Sequence, residues 1–362
     1  MSDHPRLARR GLLTLAALAA LPAACSRSAT SAPTAVAPVA GPGTTGAAVP
    51  LPTSPSASPP ESATPSPKAT AAEEDAGATV PPRGGPVPAT PGRAMVGSYL
   101  ALSGRTLTQS LALRRSQLGR EQKIVHLFHG WGERMPTSVP EIGRSTLMIS
   151  WHGTRIASVN NGSQDDVIRS AAARLARLGK PMLLRWAWEM NGDWFEWDGT
   201  HNGRDPAAYA KAYRRIHHIF RDNGADNVAF VWSPNWNSGP NVPWNRMERY
   251  YPGDAYADWV GVSGYNFYSE SPGTLFKHVV SAYGRRKPIM LAETAAIEHG
   301  GASKANWINA LSAYVKRTPE IGAVVWFDTD VQHDSQYNFR FDTSSAALAA
   351  YRAMVRSSRL SG

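Results

Sequence analysis

Two widely separated glutamates are the residues best placed to do chemistry. Glu189 lies in RWAWEMNGDWFEW (residues 185–197), and Glu293 lies near the end of KPIMLAET (residues 287–294). Each follows an apolar run typical of a buried strand. Glycoside hydrolysis requires two facing carboxyl groups. The protonated carboxyl group donates its proton to the leaving oxygen, while the ionised carboxylate attacks the anomeric carbon. A separation of about 5 Å between them would predict retention of configuration.

Polar residues also end the neighbouring apolar runs. His129 and His152 close two of these runs, and Asn235 closes a third. Aromatic planes suit the C–H faces of sugar rings, and polar side chains suit the sugar hydroxyls. We interpret His129 and Asn235 as candidate substrate-binding residues. Structural hydrogen bonding is the alternative role for the two histidines.

The elements that must position these residues alternate between strands and helices. We predict eight strands, at residues 95–100, 123–130, 146–153, 181–189, 227–235, 258–266, 287–294 and 322–330. We predict helices at residues 105–117, 164–179, 206–223, 272–284, 303–318 and 344–357. This alternation favours an α/β fold in which a parallel sheet closes as a (β/α)8 TIM barrel. In such barrels the chemistry lies at the carboxyl ends of the strands.

Strand alternation predicts where the two glutamates point. In a regular strand, Arg185, Ala187 and Glu189 share one face. The same reasoning places Leu291 and Glu293 on one face of their strand. Because the two strands are the fourth and seventh of eight, we expect the carboxylates to face each other across the barrel mouth.

Several of these segments together resemble glycoside hydrolase family 26, a group of retaining (β/α)8 enzymes best known as β-mannanases. The segment WEMNGDWFEW is similar to the family's acid/base motif. The segments VWSPN, YYPGDAYADWVGVSGYN, KPIMLAET and VVWFD also resemble family segments and occur in the same order. The resemblance covers roughly residues 95–345. It implies a two-step hydrolysis in which water completes the second step, so we expect no cofactor. We also expect no metal, because a metal site would need converging His and carboxylates at ligand spacing and a loop at the barrel rim explains the Asp and His residues near 328–334 equally well.

The resemblance also implies roles for individual residues. Glu189 matches the acid/base, and Glu293 matches the nucleophile. Trp194 matches an aromatic residue that helps build the sugar site beside the cleaved bond. Tyr265 matches a tyrosine that lies near the nucleophile. Trp326 matches an aromatic platform under the sugar at the cleavage point.

Asn191 and Arg185 match motif positions that supply hydrogen bonds. Two positions depart from the family pattern: Trp188 stands where the family usually has His, and Ser263 stands where Asp is common. If these positions interact across the barrel mouth, both polar partners have been replaced together. We count Trp188, like Asn191 and Arg185, among the candidate substrate-binding residues.

The resemblance as a whole leads us to expect an endo-acting β-glycoside hydrolase that acts on mannan, as an endo-1,4-β-mannanase does. Because of the two departures, we keep β-1,3-1,4-glucan, xylan and a bacterial exopolysaccharide open as substrates.

The first 92 residues have a different character from the rest of the chain. Residues 1–25 are typical of an export signal, with a basic start and an uncharged, largely apolar run. They end at Cys25 in a sequence that looks like a bacterial lipobox, so we expect export and a lipid anchor at Cys25; ordinary secretion is the alternative. Residues 26–92 contain 15 of the 28 prolines and are predicted to form a disordered linker. The catalytic domain is predicted to span residues 93–362, and its location to be extracellular or at the cell surface.

Composition narrows the possible partners. A single cysteine excludes an intrachain disulfide and cysteine-rich zinc modules. The net charge of +10 comes largely from bases with helical spacing, which indicates solvated outer helix faces rather than a nucleic-acid interface. We expect a monomer whose partner is a polysaccharide and whose only membrane contact is the possible lipid anchor. A non-catalytic polysaccharide-binding surface lipoprotein is the alternative, which the retention of both glutamates disfavours.

Overall fold

In the computed structural model, eight parallel strands close a barrel in the order in which they occur in the chain. The structure describes residues 83–331 and 337–360. The strands are β1 (Met95–Ala101), β2 (Ile124–His129), β3 (Thr146–Trp151), β4 (Met182–Trp186), β5 (Val228–Trp232), β6 (Trp259–Asn266), β7 (Ile289–Ala296) and β8 (Ile321–Thr329). The predicted (β/α)8 TIM barrel is confirmed. The predicted export signal, Cys25 and most of the predicted linker lie outside the described residues.

Helices connect the strands along the outside of the barrel. They are α1 (Leu107–Leu118), α2 (Ile156–Asn160), α3 (Asp165–Ala176), α4 (Pro206–Asp222), α5 (Pro272–Tyr283), α6 (Ser303–Lys316) and α7 (Ser345–Val355). Six of them coincide with predicted helices, and α2 is an additional short one. Helix α4 shows why such segments are helical: Asp205 caps its first turn, and Tyr209, Tyr213 and Ile216 form a buried stripe at helical spacing. Among the described residues, no helix is both long and apolar enough to cross a membrane.

Apolar side chains fill the half of the barrel that lies toward the amino-terminal ends of the strands. The filling residues come from the inward faces of most strands and include Ile124, Met148, Leu183, Val231, Trp259, Met290 and Val325. All seven are fully buried. Because this end of the barrel is solid, a substrate can enter only at the carboxyl ends of the strands.

The packed domain begins earlier than the sequence analysis predicted. Residues 83–92, assigned above to the disordered linker, lie against the amino-terminal end of the barrel. The indole nitrogen of Trp259 donates hydrogen bonds to the carbonyl oxygens of Gly84, at 3.2 Å, and Val87, at 2.9 Å. The side chain of Val87 is only 5% exposed, and Arg83 donates to the carbonyl of Gly284. The prolines in this segment suggested a linker, but the buried indole N–H needs an acceptor, and this segment supplies it.

We predict that a chain starting at residue 93 is less stable than one starting at residue 83. The shorter chain lacks the cover over Trp259, so the indole ring loses burial and its N–H loses both carbonyl acceptors. We expect its free energy of unfolding to be about 2–4 kcal/mol lower, from the lost burial of Val87 and the lost hydrogen bonds. Urea denaturation of the two chains measures this difference, and coincident unfolding curves would contradict the prediction.

Candidate active site

Glu293 reaches the barrel mouth through an irregularity in β7. Along the β6–β7 ladder, Val262 pairs with Leu291 but Ser263 pairs with Glu293, so Ala292 is an extra residue on β7. Such a bulge resets the alternation of side chains. The prediction that Leu291 shares a face with Glu293 is therefore wrong: Ala292 belongs to the barrel filling, whereas Leu291 belongs to the cluster packed against the helices. The bulge brings Glu293 inward after Ala292.

Glu189 reaches the same place by a different route. Strand β4 ends at Trp186 rather than at the predicted residue 189. Ala187 and Glu189 have φ angles of +44° and +56°, in the left-handed region that residues other than glycine seldom adopt. The amide of Glu189 donates to the carbonyl of Ser233 at 2.8 Å, which fixes this turn to the end of β5. The prediction that Ala187 and Glu189 continue a regular strand is therefore wrong, although the carboxylate does reach the mouth.

The Glu293 carboxylate is held by two donors. The hydroxyl of Tyr265 donates to its Oε2 at 2.5 Å. The guanidinium of Arg185 donates to its Oε1 through Nη1. Glu293 is only 1% exposed. Since an ionised carboxylate accepts hydrogen bonds at both oxygens, this arrangement suits the attacking partner of the pair.

The Glu189 carboxylate lies in a different electrostatic environment. Trp194 donates to its Oε2 through the indole nitrogen at 3.0 Å, and Arg185 Nη2 is 3.9 Å from its Oε1. Burial raises the pKa of Glu189 to about 7; the negative charge of Glu293 also raises it, and the positive charge of Arg185 opposes the rise. Glu189 can therefore carry a proton near neutral pH, as a proton donor to the leaving oxygen must.

Arg185 connects the two carboxylates. Its Nη2 donates to Ser263 Oγ at 2.6 Å, and its Nη1 also lies 3.2 Å from Ser150 Oγ. The resemblance implied hydrogen bonds from Arg185 to substrate, but the side chain is fully buried, and its Nη1 and Nη2 groups are bonded to protein. It orients and neutralises the glutamates instead.

We predict a large loss of stability in Arg185→Met. Without the guanidinium, two buried carboxylates share a site with no cation, which costs about 3–5 kcal/mol of folding free energy. The loss should shrink as the pH falls from 8 to 5, because protonation removes the charge that lacks a partner. Urea denaturation at both pH values measures it, with Arg185→Lys as the variant that keeps a cation. A pH-independent difference would indicate lost packing only.

Asn191 has a structural role. Its side-chain nitrogen donates to the carbonyl of Asn235 at 3.0 Å, and its oxygen accepts from the amide of Asn235 at 2.8 Å. Asn191 is fully buried, and its carbonyl accepts from Asn245. Its predicted role as a substrate ligand is therefore wrong, since these bonds instead fix the loop after β5. Asn235 itself is half-buried at the mouth, bridged to Ser263.

Trp326 is not a sugar platform. It is fully buried between β8 and the outer helices, with its ring 6.0 Å from Trp307 of α6 and 5.3 Å from Tyr351 of α7. The next residue, Phe327, occupies the inward position and lies 5.7 Å from the ring of Tyr265. Alternation from the inward Val325 could have identified Phe327, because inward residues recur every second position.

The two positions that depart from the family pattern both contact Arg185. Trp188 is fully buried against Phe128 and Trp197, with its ring 5.2 Å from the guanidinium carbon. Ser263 accepts a hydrogen bond from the same guanidinium. Trp188 is thus part of the wall behind Glu189, and the predicted direct contact with sugar is wrong because the ring has no exposed surface.

The remaining predicted site residues lie at the mouth. Trp194 is half-buried beside Glu189, and Tyr265 is 8% exposed beside Glu293. His129 is half-buried at the end of β2, where its Nδ1 lies 3.6 Å from a carboxylate oxygen of Glu133. Within residues 83–331 and 337–360, no group of three or more His, Cys, Asp or Glu side chains is arranged to hold a metal ion.

Comparisons with known proteins agree with this geometry. The sequence profile of glycosyl hydrolase family 26 matches residues 152–352. The chain is 32% identical to Endoglucanase H of Acetivibrio thermocellus over 256 residues, which are 66% of this chain and 28% of that protein. It is 30% identical to Beta-1,3-xylanase TXYA of a Vibrio species over 129 residues, 35% of this chain and 25% of that protein.

A third relative and a solved structure extend the comparison. Mannan endo-1,4-beta-mannosidase of Bacillus subtilis strain 168 is 34% identical over 103 residues, 27% of this chain and 27% of that protein. The matches therefore span only about a quarter of the length of these curated relatives. The structure of a beta-mannanase from Bacteroides ovatus superposes with a TM-score of 0.54 at 19% identity, over 73% of this chain and 89% of that one. At this identity the superposition supports the fold.

Proposed function

The chain belongs to glycosyl hydrolase family 26, and from this premise we propose that it is an exported, retaining, endo-acting β-glycoside hydrolase. The observation that carries the proposal is that one guanidinium, that of Arg185, contacts both Glu189 and Glu293. Groups that share one guanidinium lie close together. This favours the separation of about 5–5.5 Å found in retaining enzymes over the wider one that an inverting enzyme needs for its water.

In the first step, Glu293 attacks the anomeric carbon while Glu189 gives its proton to the departing glycosidic oxygen. The bond from the anomeric carbon to that oxygen breaks, and a glycosyl ester to Glu293 forms. Tyr265 holds the Glu293 carboxylate in place. The raised pKa of Glu189, caused first by burial, supplies the proton near neutral pH.

In the second step, water replaces the departed sugar. Glu189, now ionised, takes a proton from the water, whose oxygen attacks the anomeric carbon and breaks the ester to Glu293. Both glutamates return to their starting protonation states. Two inversions at one carbon give overall retention.

For the substrate, we propose β-1,4-mannan first and a β-linked glucan second. The named mannan endo-1,4-beta-mannosidase among the relatives supports mannan. The match to Endoglucanase H extends over 66% of this chain and supports a β-linked glucan as the substrate. Trp188 and Ser263, where the family usually has His and Asp, are buried against Arg185 and make the wall around the two glutamates less polar than the family pattern. This departure keeps the glucan as a second candidate.

A reducing-sugar assay tests the proposal. Residues 83–362 are incubated with mannan, mixed-linkage β-glucan, β-1,3- and β-1,4-xylans and an anionic exopolysaccharide. Release of reducing ends from one polymer, absent in Glu293→Ala, would support the hydrolase and identify its sugar. Binding without release would instead support the non-catalytic polysaccharide-binding protein.

We also propose that the chain is exported and anchored by a lipid on Cys25. The support is the sequence of residues 1–25, whose basic start, apolar run and final small residues are typical of a lipoprotein signal. Fractionation of cells expressing the full chain and Cys25→Ala tests this. A membrane-bound wild type with a released variant is expected, and equal release of both would contradict the anchor.

A further inference from the structure

One aromatic ring beside the barrel mouth is displayed to solvent on a well-fixed loop. Tyr268, just after β6, is 78% exposed. The carboxylate of Glu270 accepts hydrogen bonds from the amides of Phe267, at 2.9 Å, and Tyr268, at 2.7 Å. The carbonyl of Glu270 in turn accepts from the indole nitrogen of Trp307 at 2.7 Å. The backbone under Tyr268 is therefore held in place, although its ring gains little burial.

Tyr268 is the outer end of a row of rings that starts at the reacting carboxylate. Tyr265, which bonds to Glu293, has its ring centroid 5.6 Å from that of Phe267. The Phe267 ring is 6.2 Å from Tyr268 and 5.4 Å from Tyr337. Phe267 and Tyr337 are half-buried. Ring exposure thus increases with distance from the nucleophile.

We propose that Phe267, Tyr268 and Tyr337 form a distal sugar-binding site for the same polysaccharide chain, beyond the sugar unit at the cleavage point. The inference rests on the proposed function, which supplies a chain long enough to reach from the mouth to Tyr268. Exposed aromatic faces bind the C–H faces of pyranose rings while the sugar hydroxyls stay in water. The carboxylate of Glu270 accepts hydrogen bonds from the backbone amides of Phe267 and Tyr268, and its negative charge beside these rings disfavours an anionic sugar, so the site suits a neutral one.

Tyr268→Ala and Tyr268→Phe test the site on a long polymer and on a short aryl glycoside that occupies only the cleavage point. We expect Tyr268→Ala to lower kcat/KM on the polymer about three- to tenfold, the size of one aromatic stacking contact, mainly through KM. Tyr268→Phe keeps the ring face and should match the wild type. The short substrate should be unaffected by either change. An equal kcat/KM of Tyr268→Ala and wild type on the polymer would overturn the site.

Affinity electrophoresis separates failure of this site from failure of the proposed function. In gels containing each polymer, we expect retarded migration of Glu293→Ala, and loss of part of that retardation when Tyr268→Ala is added. If the wild type hydrolyses nothing but Tyr268→Ala reduces retardation, the binding site stands and the hydrolase proposal fails. If retardation does not depend on Tyr268, or no polymer retards the protein, the site is overturned.

Discussion

Glu293→Ala is expected to lower turnover of the cleaved polysaccharide by about 10⁶-fold, the scale on which loss of a covalent nucleophile acts in other enzymes. Glu189 cannot replace it, because Glu189 is needed as the proton donor. The fold should persist, since Arg185 keeps its bonds to Ser263 and Ser150. Initial rates of reducing-end release, with circular dichroism as a check on folding, measure the effect.

Azide sharpens this test. The alanine variant leaves room on the face of the sugar from which Glu293 would attack. With an aryl glycoside bearing a good leaving group, azide should enter there and yield a glycosyl azide of inverted configuration. Glu141→Ala, which removes an exposed glutamate far from the mouth, serves as the control and should retain full activity. Wild-type turnover by Glu293→Ala would refute the assignment.

The architecture was largely predictable because its signals are local. Each strand is a short apolar run, and most of the long helices have an apolar face. Periodicity therefore places the eight strands and six of the seven α-helices of the described residues near their observed positions. The two glutamates were also recognisable, since each follows such a run and Glu189 lies in a segment rich in aromatic residues. The match to the family 26 profile supports the same fold and does not depend on strand periodicity.

The errors come from features that regular periodicity does not contain. The extra residue Ala292 and the left-handed Ala187 each break the alternation assumed for β7 and β4. Both glutamates therefore reach the mouth for reasons other than the one predicted, which is in keeping with the concentration of bulges and strained residues next to active sites. Trp326 is the exception, because alternation from the inward Val325 makes Phe327 the inward residue and turns Trp326 outward.

A second group of errors concerns contacts between distant segments. Arg185 and Asn191 look like substrate ligands in a sequence motif, yet their partners come from other strands and loops. The same holds for Val87, whose role in covering Trp259 depends on a residue far along the chain. Residue types indicate that a group can donate or accept a hydrogen bond, but only the fold determines whether substrate or protein receives it.

Glu189→Ala should separate substrates by their leaving groups. On the polysaccharide, whose leaving alcohol needs a proton, kcat/KM should fall by about 10²–10⁴-fold, the usual contribution of general acid catalysis. On an aryl glycoside with an acidic phenol, the first step needs no proton and should be nearly as fast as in the wild type. The second step lacks its base, so a burst of phenol followed by slow turnover is expected. Equal losses on both substrates would contradict the acid/base role.

The pH profile ties this role to the structure. Because Glu189 must be protonated for the first step and burial raises its pKa to about 7, wild-type kcat/KM on the polysaccharide should fall as the pH rises through about 7. In Glu189→Ala, this alkaline limb should disappear for the aryl glycoside.

Trp194→Phe tests the direction of the effect. The indole N–H donates a hydrogen bond to Glu189 Oε2 and stabilises its charged form, so removing this bond should let Glu189 hold its proton to higher pH. The limb should then move toward alkaline pH, and a shift toward acid pH would show that another group controls it.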